Sequence, residues 1–455
     1  MNIAVILAGG SGSRLGGGIP KQFMKVAGKK IIEHTIDVFD SHDLIDEVAI
    51  VSRPDYIDTV KEIVEANGYR KVRKILPGGK ERYDSSLSAI AAYPNDDDNL
   101  LFHDAVRPLV NHRIIDDCIK ALETYHAVDV ATRTTDTIIQ VDSDDCIVSI
   151  PPRKYLRNGQ TPQCFKRGVI RRAYDIALKD PAFVTTDDCG VVRRYLPNEP
   201  VYIVEGEMFN MKVTYAEDLF LLDKLYQLKS IAGSKEVLIR TIREMPGKVM
   251  VVFGGSEGIG GSMVELGREL GATVYSMSRK ENGVDIADMK EVGARLREIY
   301  EREGHIDYVV CTPGELLREP LSAMSYSAIS DSVNTNYLGA VVVAKESYEY
   351  LRQTCGSLLF FTSGIYTRGR MLYSIYSSTK AAIVNLVQAL SEEWTDTNVR
   401  VNCICPDATK TPMRFRNFGI ESEDQLLASR VVAVAAVNTL VSPSNGQVVS
   451  VKNNH

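Results

Sequence analysis

The chain alternates short apolar runs with amphipathic stretches, and it does so in two successive blocks. NIAVIL (2–7), EVAIVS (47–52), NLLFHDA (99–105) and AVDVAT (127–132) are nearly continuous apolar runs. That is the pattern of strands buried on both faces of a parallel sheet. Helical patterns such as DTVKEIVEANG (58–68) separate them, and such alternation predicts a doubly wound α/β sheet. The block closes with a helix at AEDLFLLDKLYQLKS (216–230). IAGSKEVLIRTIREMPG (231–247) then reads as a linker carrying a short helix and ending in Pro246-Gly247. KVMVVFGG, from 248, opens a second series of strands and helices that runs to VVSVKNNH. The expected organisation is residues 1–235, a linker at 236–246 and residues 247–455, with both large blocks doubly wound. No internal repeat is visible, and the acidic loop NDDDN (95–99) is expected to be a solvated turn.

Composition narrows the class. A chain of 455 residues has room for two or three domains with proper cores. Its 44% apolar and 25% charged content is ordinary for a soluble globular protein. A net charge of −6 gives no basic patch for nucleic acid. No apolar run is long enough for a membrane span. MNIAVILAGG lacks the basic start and cleavage site of a signal peptide, and it runs straight into the first motif. The eight cysteines include no CxxC pair and read as reduced thiols, with Cys403 and Cys405 alternating on one face of a strand. A cytoplasmic enzyme of small molecules is expected, with no nucleic-acid or membrane partner.

The first chemical motif is LAGGSGSRLGGGIPKQF (7–23), a strand feeding a glycine-rich loop with Arg14 and Lys21. Glycines let backbone N–H groups approach a triphosphate closely. GxxxxGK[ST] is absent, so this is not a Walker A loop. Phosphoryl-type transfer chiefly needs positioning and charge neutralisation, which mobile Arg and Lys side chains provide. GGKERYDSSLSAI (78–90) offers further glycines, with Ser85 ahead of a helix. HDAVRP (103–108) puts Asp104 and Arg107 at a strand end, the usual ligand edge of such a sheet. With TTDTI (134–138), NGQTPQCF (158–165), TTDDCG (185–190) and VEGEMFNMKVTYAEDL (204–219), these segments resemble, in order, the methylerythritol-phosphate and ribitol-phosphate cytidylyltransferases. The resemblance covers roughly residues 1–230. HDAVRPLVNHRII and NGQTPQCF are nearer the ribitol-5-phosphate branch, and Lys80 departs from an Asp common in the methylerythritol branch.

The resemblance implies a nucleotidyltransferase-type, Rossmann-like domain with assigned roles. Leu7, Ala8, Gly9, Gly10, Gly12, Gly79 and Ser85 would line a CTP site. Asp104 would place CTP and its Mg²⁺. Arg14 and Lys21 would neutralise the triphosphate and the transition state, and Lys212 would meet the α-phosphate. Arg107, Thr137 and Arg153 would hold a polyol phosphate, Arg153 from an arm reaching into a neighbouring subunit, hence a homodimer. A phosphate monoester, with its second pKa at about 6, is already an anionic nucleophile at neutral pH. No general base is needed, and none is evident.

The second motif, VVFGGSEGIG (251–260), spaces Gly254, Gly258 and Gly260 as GxxxGxG, with Ser256 and Ile259 between them. A pyrophosphate would rest on the following helix N-terminus, where free N–H groups and the dipole favour anions. YSSTK (376–380) adds Tyr376 and Lys380, four apart and so on one helix face. The ammonium is expected to lower the tyrosine pKa from about 10, letting Tyr376 deliver a proton near neutrality. Ser363, at the strand end in LLFFTSG, would hydrogen-bond a carbonyl oxygen, and Asn336, in NTNYLG, would support a relay water.

This set resembles the short-chain dehydrogenase/reductase family over roughly 247–455. There CICPDATKTPM places Thr411 against the nicotinamide carboxamide, and Asp285 would meet the adenine edge. Departures are Phe253 for a usual Thr, CTPG (311–314) for NNAG, and Asp407 for Gly. Ser276, Met277 and Ser278 offer no acid for a ribose 2′-hydroxyl, and Arg279 follows, so NADPH is expected. Arg368 and Arg370 in GIYTRGR, with Arg414 and Arg416 in TPMRFR, are candidate holders of a substrate phosphate.

A ketose-phosphate reductase beside a ribitol-phosphate transferase suggests two consecutive steps. D-Ribulose 5-phosphate would become D-ribitol 5-phosphate, which would attack CTP to give CDP-ribitol and pyrophosphate. The fused arrangement resembles the bifunctional reductase/pyrophosphorylases that make CDP-ribitol for capsule or other surface polysaccharides. Three rivals stand beside it. One is a methylerythritol 4-phosphate cytidylyltransferase fused to an unrelated reductase, and another is a pair serving a different polyol phosphate. The third is a nucleotide-binding regulator with degenerate sites, against which Arg14, Lys21, Tyr376 and Lys380 argue.

Overall fold

The computed structural model describes residues 1–10, 19–229, 236–419, 421–422 and 425–453. The chain packs as two compact units, Met1–Leu222 and Asp223–His455. The division falls inside the helix Ala216–Lys229. Its later part belongs to the second unit because Asp223 accepts a 2.8 Å bond from Gln388 and the Lys224 ammonium lies 5.0 Å over the Tyr366 ring. Residues 236–246, expected as the linker, are mostly exposed but anchored at a few points. Leu238 N–H and the Thr241 hydroxyl both donate to Asn438 Oδ1, and Met245 is fully buried.

The first unit is built on the strand Asn2–Ala8, paired in parallel with Glu47–Ser52 on one side and Asn99–Asp104 on the other. Ile3 to Ile6 expose nothing to solvent, as a strand covered on both faces requires. The sheet is mixed rather than wholly parallel. Gln163–Lys166 inserts antiparallel between Asn99–Asp104 and Ala127–Arg133, and Arg157–Gly159 continues antiparallel along the latter. Val201–Glu205 pairs in parallel along Ala127–Arg133. The helix Ile57–Asn67 ends at Gly68, whose φ of 63° is left-handed backbone that glycine adopts without strain.

The acidic loop at 95–99 is a turn exposed at Asn95, Asp96 and Asp97, as expected, but anchored at Asp98. Asp98 is 1% exposed and accepts from Asn95 Nδ2 and the Met1 amino group. Asp96 pairs with Arg167, which is 3% exposed and also donates to the Ile90 carbonyl through Nε and Nη2. A buried guanidinium must find acceptors, and the Ile90 carbonyl and the Asp96 carboxylate supply them.

The second unit has six parallel strands in the order Thr273–Met277, Val249–Phe253, Tyr308–Cys311, Ser357–Phe361, Arg400–Pro406 and Val448–Val451. Strand order reverses at Val249–Phe253, which lies between its successor in sequence and the strand after that. Such a switch point leaves a crevice at the carboxyl ends of the two diverging strands. In the first unit the same geometry occurs at Asn2–Ala8 between Glu47–Ser52 and Asn99–Asp104. Among the described residues no helix is long and apolar enough to cross a membrane, and all eight cysteines are free.

Replacing Arg167 by alanine removes both bonds to the Ile90 carbonyl and frees Asp96. The first unit should lose roughly 1–3 kcal/mol of stability, read as a lower urea midpoint, while Asp96→Ala, whose carboxylate is largely exposed, should cost less. Equal and negligible losses would show that Arg167 does not anchor the loop.

Candidate active sites

In the first unit the crevice opens where Ala8 and Asp104 end their strands. Gln22, 1% exposed, donates to the carbonyls of Ala8 (2.8 Å) and Gly10 (3.1 Å) and so ties down the start of the glycine loop. Gly12 and Arg14 lie outside the described residues. Leu7 and Ala8 form the strand end. The Ser85 hydroxyl lies beside Gly9 and Gly78, where a Cβ would approach it to 3.2 and 2.7 Å, so the backbone comes close only because both residues are glycine. A Cβ on Gly79 would meet Asp84 at 2.4 Å, whereas Gly10 faces open space. Ser85 lies within the first turns of the helix Arg82–Ala92, not ahead of it.

Asp104 is the hub of this site. Its Oδ1 accepts from Arg82 (2.8 Å), and its Oδ2 faces Arg107 (3.2 Å) and Lys212 (3.1 Å). Burial alone would raise its pKa. Arg82, then Lys212 and Arg107, outweigh burial and hold the carboxyl well below the usual range. Arg107 also donates to Asn210 O, and Lys21 Nζ reaches Val213 O at 2.8 Å, so Lys21, Arg107 and Lys212 converge on the segment 210–213. Thr137 and Arg153 sit elsewhere in the chain. They flank the small ladder Gln140–Val141/Ile147–Ser149, and Arg153 donates to Thr135 O. No described hydrogen bond or ion pair links them to Asp104, Arg107 or Lys212. Among the described residues no cluster of three or more acids, histidines or cysteines could cage a metal.

A neutral relay fixes the orientation of this hub. Asp104 N–H donates to Thr161 Oγ1 at 3.1 Å. Thr161 Oγ1 lies 2.9 Å from His103 Nδ1, and His103 Nε2 lies 3.0 Å from Arg107 O. A carbonyl only accepts, so Nε2 carries the hydrogen and Nδ1 receives the threonine proton. Burial lowers the His103 pKa to about 4, which keeps that tautomer at neutral pH.

The second unit holds a cavity of about 670 Å³ at its switch point, a size suited to a cofactor and small substrate. Gly254, Ser256, Gly258, Ile259 and Gly260 line one end. A Cβ on Gly260 would lie 2.2 Å from Gly254 O and 2.7 Å from Thr312 Oγ1, so only glycine fits. Gly254 (φ 82°) and Gly258 (φ 61°) are left-handed. Ser278, Arg279 and Asp285 line the same end, and Thr411 caps the helix Pro412–Phe418 by accepting from Arg414 N. Ser363, Tyr376 and Lys380 line the other end.

The expected lowering of Tyr376 does not occur in this structure. Burial pushes its phenol up to about 12, against the opposing effect of the Ser363 hydroxyl. Lys380 Nζ lies 5.7 Å from the ring centroid and donates to Phe361 O at 3.1 Å, and burial lowers its own pKa. Desolvation therefore dominates, and it favours the phenol, the form that gives a proton. Asn336 is 2% exposed, and both its amide hydrogens are engaged, by Glu315 O and Ser332 Oγ. It clamps the chain at Gly314, where a Cβ would meet both Asn336 Oδ1 and Lys380 Nζ at 3.4 Å. Of the four arginines, Arg370, Arg414 and Arg416 line the cavity and Arg368 does not.

Residues 2–227 match the 2-C-methyl-D-erythritol 4-phosphate cytidylyltransferase family, and residues 282–418 match the short chain dehydrogenase family. A 2-C-methyl-D-erythritol 4-phosphate cytidylyltransferase of Thermobifida fusca (strain YX) is 46% identical over 49% of this chain and 92% of its own. A crystal structure of 4-diphosphocytidyl-2C-methyl-D-erythritolsynthase from Anaerococcus prevotii is 32% identical, covering 50% of this chain and 98% of its own, with a TM-score of 0.45. The bifunctional ribulose 5-phosphate reductase/CDP-ribitol pyrophosphorylase of Haemophilus influenzae is 46% identical over 99% of this chain and 95% of its own length. The chain belongs to that bifunctional reductase/pyrophosphorylase family. It joins a nucleotidyltransferase-like domain to a short-chain-reductase Rossmann domain.

Several working residues of this reductase/pyrophosphorylase are silent in its motifs. Arg82 bridges Asp104 and Asp188, and its place three residues after Gly79 and three before Ser85 was the available signal. Thr312, in the unusual CTPG, donates to Phe253 O at 2.9 Å and closes the floor between two strand ends. Phe253 is fully buried in the core, and Asp407 pairs with Lys452.

His103 gives a pH signature. The folded imidazole stays neutral down to about pH 4, whereas the unfolded one takes a proton at its ordinary 6.5. The unfolded state therefore binds more protons in that window, and stability falls as pH drops through it. Between pH 7.5 and 5 the His103 contribution should fall by about 2 kcal/mol. His103→Gln should flatten the urea-midpoint profile of the first unit by that amount, the buried His34 and His42 being common to both proteins. An unchanged slope would rule out the neutral relay.

Proposed function

We propose that this chain reduces D-ribulose 5-phosphate to D-ribitol 5-phosphate with NADPH, then transfers CMP from CTP to that product, giving CDP-ribitol and pyrophosphate. One observation carries the reading. Two polar sites of different chemistry stand in one chain whose 46% identical, nearly full-length relative is named for those two activities.

In the reductase half, Ser363 and Tyr376 address the ketose carbonyl oxygen, and Tyr376 gives it a proton. When bound, the nicotinamide cofactor supplies the hydride for the carbonyl carbon. The Gly254–Gly260 cradle, which a single Cβ would fill, suits its pyrophosphate. Arg279 favours a 2′-phosphate. Glu281, the carboxylate nearest to it in sequence, accepts from the Ser276 hydroxyl at 2.8 Å and is not among the cavity-lining residues, which include Glu257 and Asp285. Thr411 and Asp285 complete the cofactor's surroundings.

In the transferase half, the phosphate monoester is its own nucleophile. Lys21, Arg107 and Lys212, with Arg14, lessen the repulsion between two polyanions. The described residues build no protein cage for a divalent ion, so magnesium would come with CTP, held mainly by phosphates with Asp104 as the carboxylate at hand. Gly9, Gly10, Gly12, Gly79 and Ser85 surround the nucleotide. Thr137 and Arg153 would serve the polyol phosphate of a second copy in a homodimer. Exposed apolar side chains on that segment, including Ile147 (58%) and Tyr155 (75%), support an arm that another subunit covers. The product would feed ribitol phosphate into a capsule or other surface polysaccharide from the cytoplasm.

A single reaction with ribulose 5-phosphate, NADPH and CTP tests the reading. NADPH loss with CDP-ribitol formation supports it. Cytidylylation of methylerythritol 4-phosphate in preference to ribitol 5-phosphate would favour the isoprenoid rival instead. Tyr376→Phe should abolish NADPH oxidation yet leave CDP-ribitol formation from supplied ribitol 5-phosphate within about twofold, because no residue is shared between the two motif sets. Arg279→Ala should weaken NADPH by about ten- to a hundredfold, as expected for a charge-assisted contact, and NADH far less. Equal losses for the two cofactors would show that Arg279 does not read the 2′-position.

A further inference from the structure

The charged groups around the reductase cavity are largely committed to one another. Glu257 lies between Lys280 (3.8 Å) and Arg416 (3.6 Å). Asp407 is held by Lys452 and by Asn453 N–H, and Asp285 accepts from Ala287 N–H. Arg414 is locked. Its Nε and Nη2 donate to the two Glu421 oxygens at 2.7 and 2.8 Å, and its guanidinium stacks 3.8 Å over the Phe418 ring. Lys380 is buried on Phe361 O. Arg279 and Arg370 alone among the lining cations have no side-chain hydrogen bond or ion pair to any described residue.

These two cations come from different segments of the lining. Arg279 follows Ser278 at the end of the strand Thr273–Met277, beside the glycine cradle. Arg370 lies between Ser363 and Tyr376, three residues before Tyr373, which also lines the cavity. The backbone there is unusual. Leu372 adopts φ 71°, a left-handed conformation rare for a branched side chain, inside a turn closed by Tyr373 N–H to Arg370 O at 3.2 Å. Such strain persists only where surrounding structure enforces it, and it clusters at ligand clamps. Here it turns the chain sharply between an exposed guanidinium and the catalytic tyrosine helix.

We propose that Arg370 is the phosphate anchor of the reductase half and sets its preference for a phosphorylated ketose, whereas Arg414 is a structural tie of the Pro412–Phe418 segment. This rests on the reading of that half as a sugar-phosphate reductase. A guanidinium unengaged by protein acceptors offers its planar fork to a phosphate without first breaking an ion pair, an advantage that Arg414 lacks. As a phosphate anchor Arg370 would act away from the reacting carbonyl, so its loss should change binding and selectivity rather than the proton transfer.

The test compares wild type, Arg370→Ala and Arg370→Gln in the full chain, with ribulose 5-phosphate and unphosphorylated D-ribulose as alternative substrates. Both variants should raise the KM for ribulose 5-phosphate by about ten- to a hundredfold. kcat, the KM for NADPH and kcat/KM for D-ribulose should stay within about threefold, so the preference for the phosphate ester collapses. Arg370→Lys should restore part of it. Inorganic phosphate should compete with ribulose 5-phosphate in wild type and lose that competition in the variants. If wild type prefers the ester and both variants keep that preference, the assignment to Arg370 is overturned while the sugar-phosphate reading stands. If wild type reduces D-ribulose as well as its phosphate, both fall.

Discussion

Both sites depend on what happens where two neighbouring parallel strands part. Within the ladder every backbone group has a partner. Past the last pair, the carbonyls and amides at the switch point face a crevice and need other partners. In the first unit Gln22 reaches back to the carbonyls of Ala8 and Gly10. In the second, Thr312 reaches across from one strand end to the Phe253 carbonyl of the other. The glycines follow from the same constraint. With the crevice closed by side chains that bind backbone, the backbone that remains must approach closely, and Gly260 lies against Gly254 O at a distance no Cβ could share.

The two crevices treat charge in opposite ways. The transferase half gathers Arg82, Arg107 and Lys212 on one carboxylate, which orients the cations but also partly neutralises them. A ligand phosphate arriving there must compete with Asp104 for cations that the carboxylate holds in place. The reductase half instead buries its acid. Tyr376 and Lys380 are both nearly enclosed, and their pKa values move apart from the ordinary ones for the same reason, loss of water. Cytidylyl transfer to a phosphate needs neutralisation and no base. Carbonyl reduction needs one proton at one place.

What the sequence revealed and what it hid divide along this line. The strands at 2–7, 47–52, 99–105 and 127–132 were legible because burial on both faces leaves an uninterrupted apolar run. The glycine spacings and YSSTK were legible because their geometry is local. Local reading failed where partners come from far along the chain. NDDDN is largely solvated, as it looks, but its tie to the buried Arg167, about seventy residues later, has no local sign. The antiparallel insertion of Gln163–Lys166 has no local signature, since a short apolar segment does not announce its direction. The sign of the Tyr376 shift was missed because the four-residue spacing guarantees a shared face but not contact, whereas the depth of the pocket is a property of the whole fold.

The same distinction explains why departures from family pattern need not mean loss of chemistry. Phe253, Thr312 and Asp407 each replace a commoner residue, and each has found a tertiary role: core packing, the bridge between strand ends, and an ion pair with Lys452. None alters the placement of Ser363, Tyr376 and Lys380 along one cavity wall. A site that had ceased to work would be free to lose its glycines first, because each costs backbone entropy and gains nothing without a ligand to approach. Gly254, Gly258 and Gly260 are all present, two in left-handed backbone and one where any side chain would collide. The backbone is thus still built for close approach by a ligand, a trait that an enzyme and a nucleotide-binding regulator would share, so what separates the two is the set Ser363, Tyr376 and Lys380 on the same cavity.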